Sequence, residues 1–384
     1  MEQQIKDLIL SSKEPLVFKN YINWGLVTWG LPDWRNMLKN EELLFRCGTK
    51  SFTQEPQWER TTGTKNAPFE EFISFTESAP NGWMYFDYKY LKDCFKTSKE
   101  LKKEINWGLF GFPELSSEDS TIWIGSQGAH TPCHIDTYGC NIVAQIHGRK
   151  QWILFPPGED LKPTRIPYEE SSIYSKLNFF SPTIADFNGV GNCRRVVLEP
   201  GDALFVPHKW WHYVENLDTA ISVNVWVPLP EDHEERFKEA LVQFFITQVT
   251  QNLDFETKKV ILNPNSDQEI GSMTLDVALD VVNKCKDIFS KTRTEKRPIS
   301  VRNESFTFVD KIPVLSSQDF NKFLENQKSR FGNTKNETEK RNFPEIINLI
   351  EAFSHPEIIS LVGKKLSNQV AYDFFKLHKN LNSE

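Results

Sequence analysis

The sequence predicts a mainly β protein with flanking helices, built around a barrel of the jelly-roll type. Between about residues 83 and 228, short apolar segments of β character follow one another and are separated by glycine and proline turns. After Pro230 this signal ends and amphipathic helical patterns take over. Many short strands joined by tight turns favour a sandwich or small barrel over alternating βαβ units.

The predicted elements can be placed in order along the chain. A short helix and an extended piece, EPLVFKNYI, occupy about the first 30 residues, and short helices are expected near 33–45 and 68–77. Seven strands then follow: WMYFDYKY, TIWIGS, NIVAQIHG, QWILFPP, RRVVLE, DALFVP and ISVNVWV. EERFKEALVQFFITQVTQNL and SMTLDVALDVVNKCKDIFSK have the apolar stripe of surface helices.

These elements group into five regions. Residues 1–82 are helical and extended and should pack on the jelly-roll core, which spans 83–228. Residues 229–290 are helical and form a possible dimerisation region. Residues 291–342 are polar and are predicted to be a linker, in which the basic stretch from Lys291 to Arg297 is more simply a solvated segment than a nucleic-acid patch. Residues 343–384 are expected to form a C-terminal helical hairpin.

Composition narrows the possible functions. A chain of 384 residues with 29 Phe and 11 Trp can bury a large core. A formal net charge of −7 argues against generic nucleic-acid binding, which needs a basic face. The first residues lack the basic start and long apolar core of a signal peptide, so secretion is not predicted. The sequence has no run of 18 apolar residues, so a membrane span is not predicted either. The six cysteines lack paired spacing, which favours a reducing compartment, the cytoplasm or the nucleus.

A His-x-Asp pair in a predicted strand is the main chemical signal. His134 and Asp136 lie between two β-type runs, and residues i and i+2 of a strand point to the same side. On a helix the same two positions would be roughly 200° apart and could not share an ion. The similar pairs at His233 and His355 lie in a helical segment and in a loop, and we interpret both histidines as surface residues.

His212 is the candidate third ligand. Gly201 marks a tight turn between two strands, and the chain then returns through Pro207 into a further strand. This return could run antiparallel beside the strand of His134. His208 is a competitor, but it follows Pro207 directly and is interpreted as a rim residue, whereas His212 is flanked by tryptophans. Two imidazoles and one carboxylate form the facial triad of non-haem iron oxygenases, so His134, Asp136 and His212 are predicted to bind Fe(II) and to be catalytic.

Such an iron centre requires a chelating keto acid, and the keto acid requires a cation. Lys150 starts an apolar strand and can point inward, where a buried lysine needs an anion. An exposed lysine at the strand start is the alternative. Thr131 could supply a hydroxyl to the same anion. Asn141 and Asn224 lie within apolar runs, where an amide needs a buried partner, and a ligand oxygen could be that partner. Trp123, Trp210 and Trp211 are either part of a dry lining or simply core.

The two segments that carry these residues resemble a JmjC domain. TIWIGSQGAHTPCHIDTYGCNIVAQIHGRKQWILFPP, followed by GDALFVPHKWWHYVEN, is similar to the branch of the hypoxia-inducible-factor asparaginyl hydroxylase. The closer match, through YKYL, WGLFGFP and PTRIPYEESSIYSK, is to the type associated with small heat-shock proteins. The resemblance implies a double-stranded β-helix, or cupin, core. It also implies that Thr131 and Lys150, assisted by Tyr85, hold 2-oxoglutarate, with Asn141 and Asn224 in the same pocket.

The expected function is an Fe(II)- and 2-oxoglutarate-dependent dioxygenase that uses O₂, hydroxylates a protein side chain and releases succinate and CO₂. Two alternatives stay open: an adaptor associated with chaperones that has little or no turnover, and a histone-lysine demethylase. The expected partner is a protein or peptide substrate, and a small heat-shock protein and a second copy of the chain are further candidates. A membrane is not expected, and nucleic acid is not favoured by the charge.

Overall fold

The computed structural model describes most of the chain: residues 1–58, 62–78, 80–95, 99–166, 171–255, 257–258, 273–292, 306–331 and 346–367. The chain divides into two compact units. Unit 1 consists of Met1–Lys162, Ser175–Pro228 and Pro298–Glu339. Unit 2 consists of Pro163–Tyr174, Leu229–Arg297 and Lys340–Glu384.

The α-helices of the described residues are α1 (Glu2–Ser11), α2 (Leu31–Leu38), α3 (Phe69–Glu77), α4 (Lys99–Glu104), α5 (Asp232–Thr250), α6 (Leu275–Thr292), α7 (Ser317–Ser329), α8 (Ile346–Ser354) and α9 (Pro356–Ser367). The strands are β1 (Leu16–Phe18), β2 (Glu42–Thr49), β3 (Gly63–Pro68), β4 (Gly82–Tyr90), β5 (Ser120–Gly125), β6 (His130–Asp136), β7 (Cys140–His147), β8 (Lys150–Phe155), β9 (Pro163–Thr164), β10 (Ser172–Ser175), β11 (Arg194–Leu198), β12 (Ala203–Val206), β13 (Trp211–Asn216), β14 (Ala220–Val227) and β15 (Val309–Lys311).

Unit 1 contains two antiparallel sheets. The larger has the order β15-β1-β12-β7-β14-β5-β4-β2-β3, and the other contains β11-β8-β13-β6 in that order. Neighbours in the sheets are mostly distant in the chain, as expected when strands alternate between two sheets of a jelly roll. The predicted class, mainly β with flanking helices and a helical C-terminal region, is confirmed.

The core of unit 1 lies between the two sheets. One buried cluster joins Val143 and Leu204 from the larger sheet to Trp152, Leu154 and Val214 from the smaller one. Each strand contributes alternate residues to this cluster, because successive side chains of a strand point to opposite faces. The polar residues of β6, β8, β13 and β14 that share this inner face therefore lie inside the barrel.

Unit 2 is built mainly from helices. Its core contains Phe237, Leu241 and Ile246 of α5 together with Val282 of α6 and Ile359 of α9. Phe237 and Leu241 follow the i, i+4 spacing of one helix face. A buried ion pair joins Arg165 to Glu239 of α5 at 2.7 Å, so the charge of each partner is compensated inside this unit.

Two expectations about secondary structure were wrong in part. Residues 33–45 were expected to be one helix, but α2 ends at Leu38 and β2 begins at Glu42. The predicted polar linker of residues 291–342 contains helix α7, whose Phe320 and Leu324 are buried in unit 1. Most side chains of this segment are polar, and the apolar residues on one face of α7 are too few to change its overall composition. Residues 293–297 of the basic stretch and the end of the predicted hairpin, 368–384, lie outside the described residues.

No single helix of the described residues is long and apolar enough to cross a membrane. Helices α8 and α9 reach that length and apolar composition only when taken as a pair, which is bent by 54° at the break between them. Ile350 of α8 and Ile359 of α9 are buried in the helical core of unit 2, which accounts for part of this apolar character.

Candidate metal centre and cosubstrate cavity

The strand pairing brings His134, Asp136 and His212 together. β13 runs antiparallel to β6, and His212 is the direct register partner of His134. The Nε2 atom of His134 lies 3.5 Å from Oδ1 of Asp136, and the Nε2 atom of His212 lies 3.7 Å from Oδ2. One ligand atom from each of the three residues lies within 4.8 Å of the others. This is the only such group in the described part of the chain.

Both imidazoles are oriented by backbone carbonyls. The Nδ1 atom of His134 lies 2.9 Å from the carbonyl oxygen of Pro132, and the Nδ1 atom of His212 lies 3.0 Å from that of Trp210. A carbonyl can only accept, so each Nδ1 carries the proton and donates. In the neutral ring the lone pair is then on Nε2, the atom that faces Asp136. This second hydrogen bond is how metal-binding histidines are usually fixed.

The protonation states suit a cation. Burial and the neighbouring His134 lower the pKa of His212 to about 4, which keeps its ring neutral near pH 7. Burial disfavours the charged form of Asp136, but His212, His134 and the hydrogen bond from Trp226 hold its pKa well below the usual range. Two imidazole nitrogens and one carboxylate match the facial triad, and the donor set therefore fits a ferrous ion.

A cavity connects this triad to Lys150. Lys150 is 1% exposed, and its Nζ atom donates to Oγ of Ser222 at 2.7 Å and to Oη of Tyr85 at 3.3 Å. The carboxylate of Asp87 raises the pKa of this ammonium, but Asp87 is itself paired with Arg46 at 2.7 Å. Burial lowers the pKa of Lys150 to about 7. The predicted inward orientation is thus observed, and the exposed alternative is excluded.

The other predicted residues also line this cavity. Thr131 hydrogen-bonds Tyr85, whose pKa is raised above its ordinary value chiefly by burial, so the phenol stays protonated. Asn141 and Asn224 are buried and bond each other: Nδ2 of Asn224 donates to Oδ1 of Asn141 at 2.9 Å. The partner that each amide required is therefore supplied by the protein, in addition to any contact with a ligand.

Some residues of the cavity were not singled out from the sequence. Ser222 and Trp226 line it together with Asn224, and Trp152 contributes an apolar wall. The signal was present in ISVNVWV, because positions 222, 224 and 226 of a strand share one face. Of the tryptophans weighed earlier, Trp123 lines the cavity. Trp210 lies in the core cluster instead, and its Nε1 atom donates to the carbonyl of Lys13.

The other histidines weighed in the sequence do not reach the triad. Nδ1 of His208 lies 2.9 Å from the carbonyl oxygen of Gly139. His233 belongs to the first turn of α5, as its charged segment predicted, and His355 lies between α8 and α9. None of the three belongs to a group of described residues that could hold a metal.

Comparison with known proteins agrees with this architecture. HSPB1-associated protein 1 from Bos taurus is 40% identical over 285 residues, which cover 70% of this chain and 59% of the relative. The 2-oxoglutarate and iron-dependent oxygenase JMJD4 from Gallus gallus is 25% identical over 54% of this chain and 50% of the relative. Lysine-specific demethylase 8 from Danio rerio is 28% identical over 58% of this chain and 55% of the relative.

The chain spans about three fifths of the length of the HSPB1-associated relatives that it matches. A family model described as a cupin-like domain matches residues 2–232, which include every residue of the triad and of the cavity. The resemblance drawn from the histidine-containing segments is confirmed at this level. Since the match extends over more than half of the sequence, the chain belongs to the family of cupin-like domain proteins.

Proposed function

We propose that this protein is an Fe(II)- and 2-oxoglutarate-dependent oxygenase that hydroxylates a side chain of a protein substrate. The observation that carries the proposal is the joint presence, in one cavity, of the His134, Asp136 and His212 donors and the buried Lys150. The donor set suits a ferrous ion, and the lysine suits the far carboxylate of a dicarboxylic keto acid. Related proteins include one named as an iron- and 2-oxoglutarate-dependent oxygenase.

Separate groups of residues would bind the iron and the 2-oxoglutarate. His134, Asp136 and His212 would hold the iron, while Lys150, Thr131 and Tyr85 would bind the distal carboxylate of 2-oxoglutarate. When bound, iron and keto acid supply the oxidising chemistry, in which O₂ is consumed and succinate and CO₂ are released. The protein positions these groups and excludes water with the apolar walls that Trp152 and Val214 contribute.

Release of CO₂ tests the proposal. Protein reconstituted anaerobically with Fe(II) and then supplied with oxygen and 2-oxoglutarate labelled at C1 should release labelled CO₂. Asp136→Ala should release none above background, because it removes a ligand. His208→Ala is the matched control, since its imidazole bonds a carbonyl and lies outside the triad. Equal release from wild type and Asp136→Ala would refute an oxygenase.

A histone-lysine demethylase is the alternative among enzymes, favoured by the similarity to a protein of that name. The same reconstituted protein should be offered panels of methylated lysine peptides and of unmodified peptides. A gain of one oxygen atom on an unmodified peptide supports the hydroxylase. Loss of methyl groups, with no product from unmodified peptides, would replace it with the demethylase.

We further propose that the protein binds a small heat-shock protein. The support is the similarity to proteins named for association with HSPB1. Purified HSPB1 should bind the full chain in a calorimetric titration, and Asp136→Ala should bind equally well if the chain is an adaptor whose metal site plays no part. No heat of binding with either protein would contradict the association.

A further inference from the structure

We propose that Trp226 and a side-chain relay formed by Trp123, Asn224 and Asn141 are positioning residues for Asp136, which they hold so that Oδ1 is the oxygen presented to the metal. Of the proposed function, this inference requires the metal site only. It does not depend on the cosubstrate or on the reaction. The four residues lie on β5, β7 and β14 of the larger sheet, whereas the triad lies on β6 and β13 of the other sheet.

The two oxygens of Asp136 have different surroundings. Oδ2 accepts a hydrogen bond from Nε1 of Trp226 at 2.9 Å and another from Nδ2 of Asn141 at 3.2 Å. It also lies 3.7 Å from His212, whereas Oδ1 faces Nε2 of His134 at 3.5 Å. Both lone pairs of Oδ2 are engaged by neutral donors, so the carboxylate keeps its negative charge while Oδ1 is left to bind a cation.

The direction of the hydrogen bonds in the relay is fixed by Trp123, which lies at the end away from Asp136. An indole N–H can only donate, and Nε1 of Trp123 lies 2.7 Å from Oδ1 of Asn224. That contact turns the Nδ2 atom of Asn224 toward Asn141, where it donates to Oδ1 at 2.9 Å. The amide of Asn141 must then present Nδ2 to Asp136. Each amide has one possible orientation as long as Trp123 is an indole.

The strand register holds these groups in place. On β14, positions 224 and 226 share a face because they are two residues apart. Trp226 is the register partner of Asn141, and Asn224 is the partner of Val143 on the same strand. The relay therefore connects residues of adjacent, hydrogen-bonded strands, and Asn224 is 1% exposed.

A carboxylate restricted to one oxygen has a consequence for the metal. An octahedral ion with two imidazoles and a single carboxylate oxygen keeps three adjacent positions open, the arrangement of the facial triad. A carboxylate that binds through both oxygens would take one of those positions. To bind through both oxygens, the carboxylate of Asp136 would have to rotate Oδ2 toward the metal. The hydrogen bonds to Oδ2 oppose this rotation, because it would leave the N–H groups of Trp226 and Asn141 without an acceptor in a largely buried site.

Binding of Co(II) to metal-free protein tests the inference without any catalytic step. We expect Trp226→Phe to weaken Co(II) binding by about tenfold or more, since loss of a hydrogen bond to a metal ligand commonly costs 10- to 100-fold in affinity. Trp123→Phe should weaken it by less, about threefold, because it only frees the relay to reorient. Trp107→Phe is the matched control: its buried Nε1 donates to Ser120 and not to the site, so the Co(II) affinity should not change.

Asn224→Asp tests the direction of the relay. Both oxygens of the new side chain accept, so Asn141 would turn its NH₂ group toward position 224 and its oxygen toward Asp136. Weaker Co(II) binding is expected, with a changed visible absorption spectrum of the bound ion. The added negative charge alone would strengthen cation binding, so tighter or unchanged binding would overturn the relay.

The outcomes separate this inference from the proposed function. If wild type binds Co(II), His134→Ala does not, and Trp226→Phe matches Trp107→Phe in both affinity and spectrum, the metal site stands and the positioning role is refuted. If wild type and His134→Ala bind equally, the metal site itself fails and the inference fails with it. Thermal unfolding of each variant confirms that any loss of affinity is measured on folded protein.

Discussion

The two ends of the cavity carry opposite charges and suit ligands of opposite charge. At one end, the carboxylate of Asp136 is surrounded by two imidazole rings and by hydrogen-bond donors, and His212 and His134 hold its pKa low. At the other end, the ammonium of Lys150 is buried among hydroxyl groups, and burial lowers its pKa to about 7. One end is thus prepared for a cation and the other for an anion. A single bound metal with a chelated dicarboxylic keto acid satisfies both ends.

The largest expected effect concerns the cation end. His212→Ala should weaken Fe(II) or Co(II) binding a hundredfold or more, because each protein ligand contributes roughly 3 kcal/mol to such a site. Anaerobic equilibrium titration measures it. His208→Ala should keep the wild-type affinity. If the two variants behave alike, His212 is a buried structural histidine and not a ligand.

A second effect is expected on 2-oxoglutarate binding at the anion end, without a change in metal affinity. Lys150→Met keeps the apolar stem but removes the charge, so 2-oxoglutarate should bind about a hundredfold more weakly, as expected for a charge partner worth 2–5 kcal/mol. Metal affinity should not change. Lys19→Met provides the comparison, since Lys19 pairs with Asp202 outside the cavity. Loss of metal binding in Lys150→Met would show that the two ends are not separate.

The pH dependence of 2-oxoglutarate binding provides a further distinction between the two ends of the cavity. Below about pH 7 Lys150 is already charged, and the affinity for 2-oxoglutarate should be flat. Above pH 7 the free protein must take up a proton to bind the dianion, so the dissociation constant should rise by up to tenfold per pH unit. Asp136 and His212 titrate well below this range, and the pKa of Tyr85 is raised above it.

Calorimetry in buffers of different ionisation enthalpy measures this proton uptake directly. Uptake should approach one proton above pH 7 in wild type and vanish in Lys150→Met. Uptake that persists in the variant would assign the proton to another group.

The smallest effect at the anion end is expected from a hydroxyl group. Thr131→Val should weaken 2-oxoglutarate binding about fivefold, the equivalent of one hydrogen bond of about 1 kcal/mol. Thr121→Val is the control, because its hydroxyl is also buried but lies outside the cavity. Equal affinities in the two variants would remove Thr131 from the binding site.

The sequence predicted the parts of this cavity that follow from strand geometry. The i, i+2 spacing of His134 and Asp136 and the return of the chain after the tight turn at Gly201 indicated that the His212 strand could run beside them, and the register His212–His134 agrees. Lys150 was identifiable because a charge that opens an apolar strand must face either solvent or an anion. These inferences need only local conformation and the twofold period of a strand.

What the sequence could not supply depends on contacts between distant segments. Helix α7 was assigned to a polar linker, since its few apolar residues acquire a role only through contacts with distant segments, as when Phe320 packs against Phe155 of β8 and against Phe187. Strand β2 was missed because the helix predicted over residues 33–45 extended across its first residues. The donors to Oδ2 of Asp136 were also invisible, because hydrogen-bond direction depends on the arrangement of side chains across neighbouring strands.

The most direct test of the account is the coupling between the two ends. Calorimetric titration of 2-oxoglutarate, under anaerobic conditions, into metal-free and Co(II)-loaded protein reports whether one molecule bridges metal and lysine. The account predicts that Co(II) tightens 2-oxoglutarate binding, by the same factor by which 2-oxoglutarate tightens Co(II) binding, and that Lys150→Met weakens binding to the loaded protein. Equal affinity for 2-oxoglutarate with and without Co(II) would contradict it.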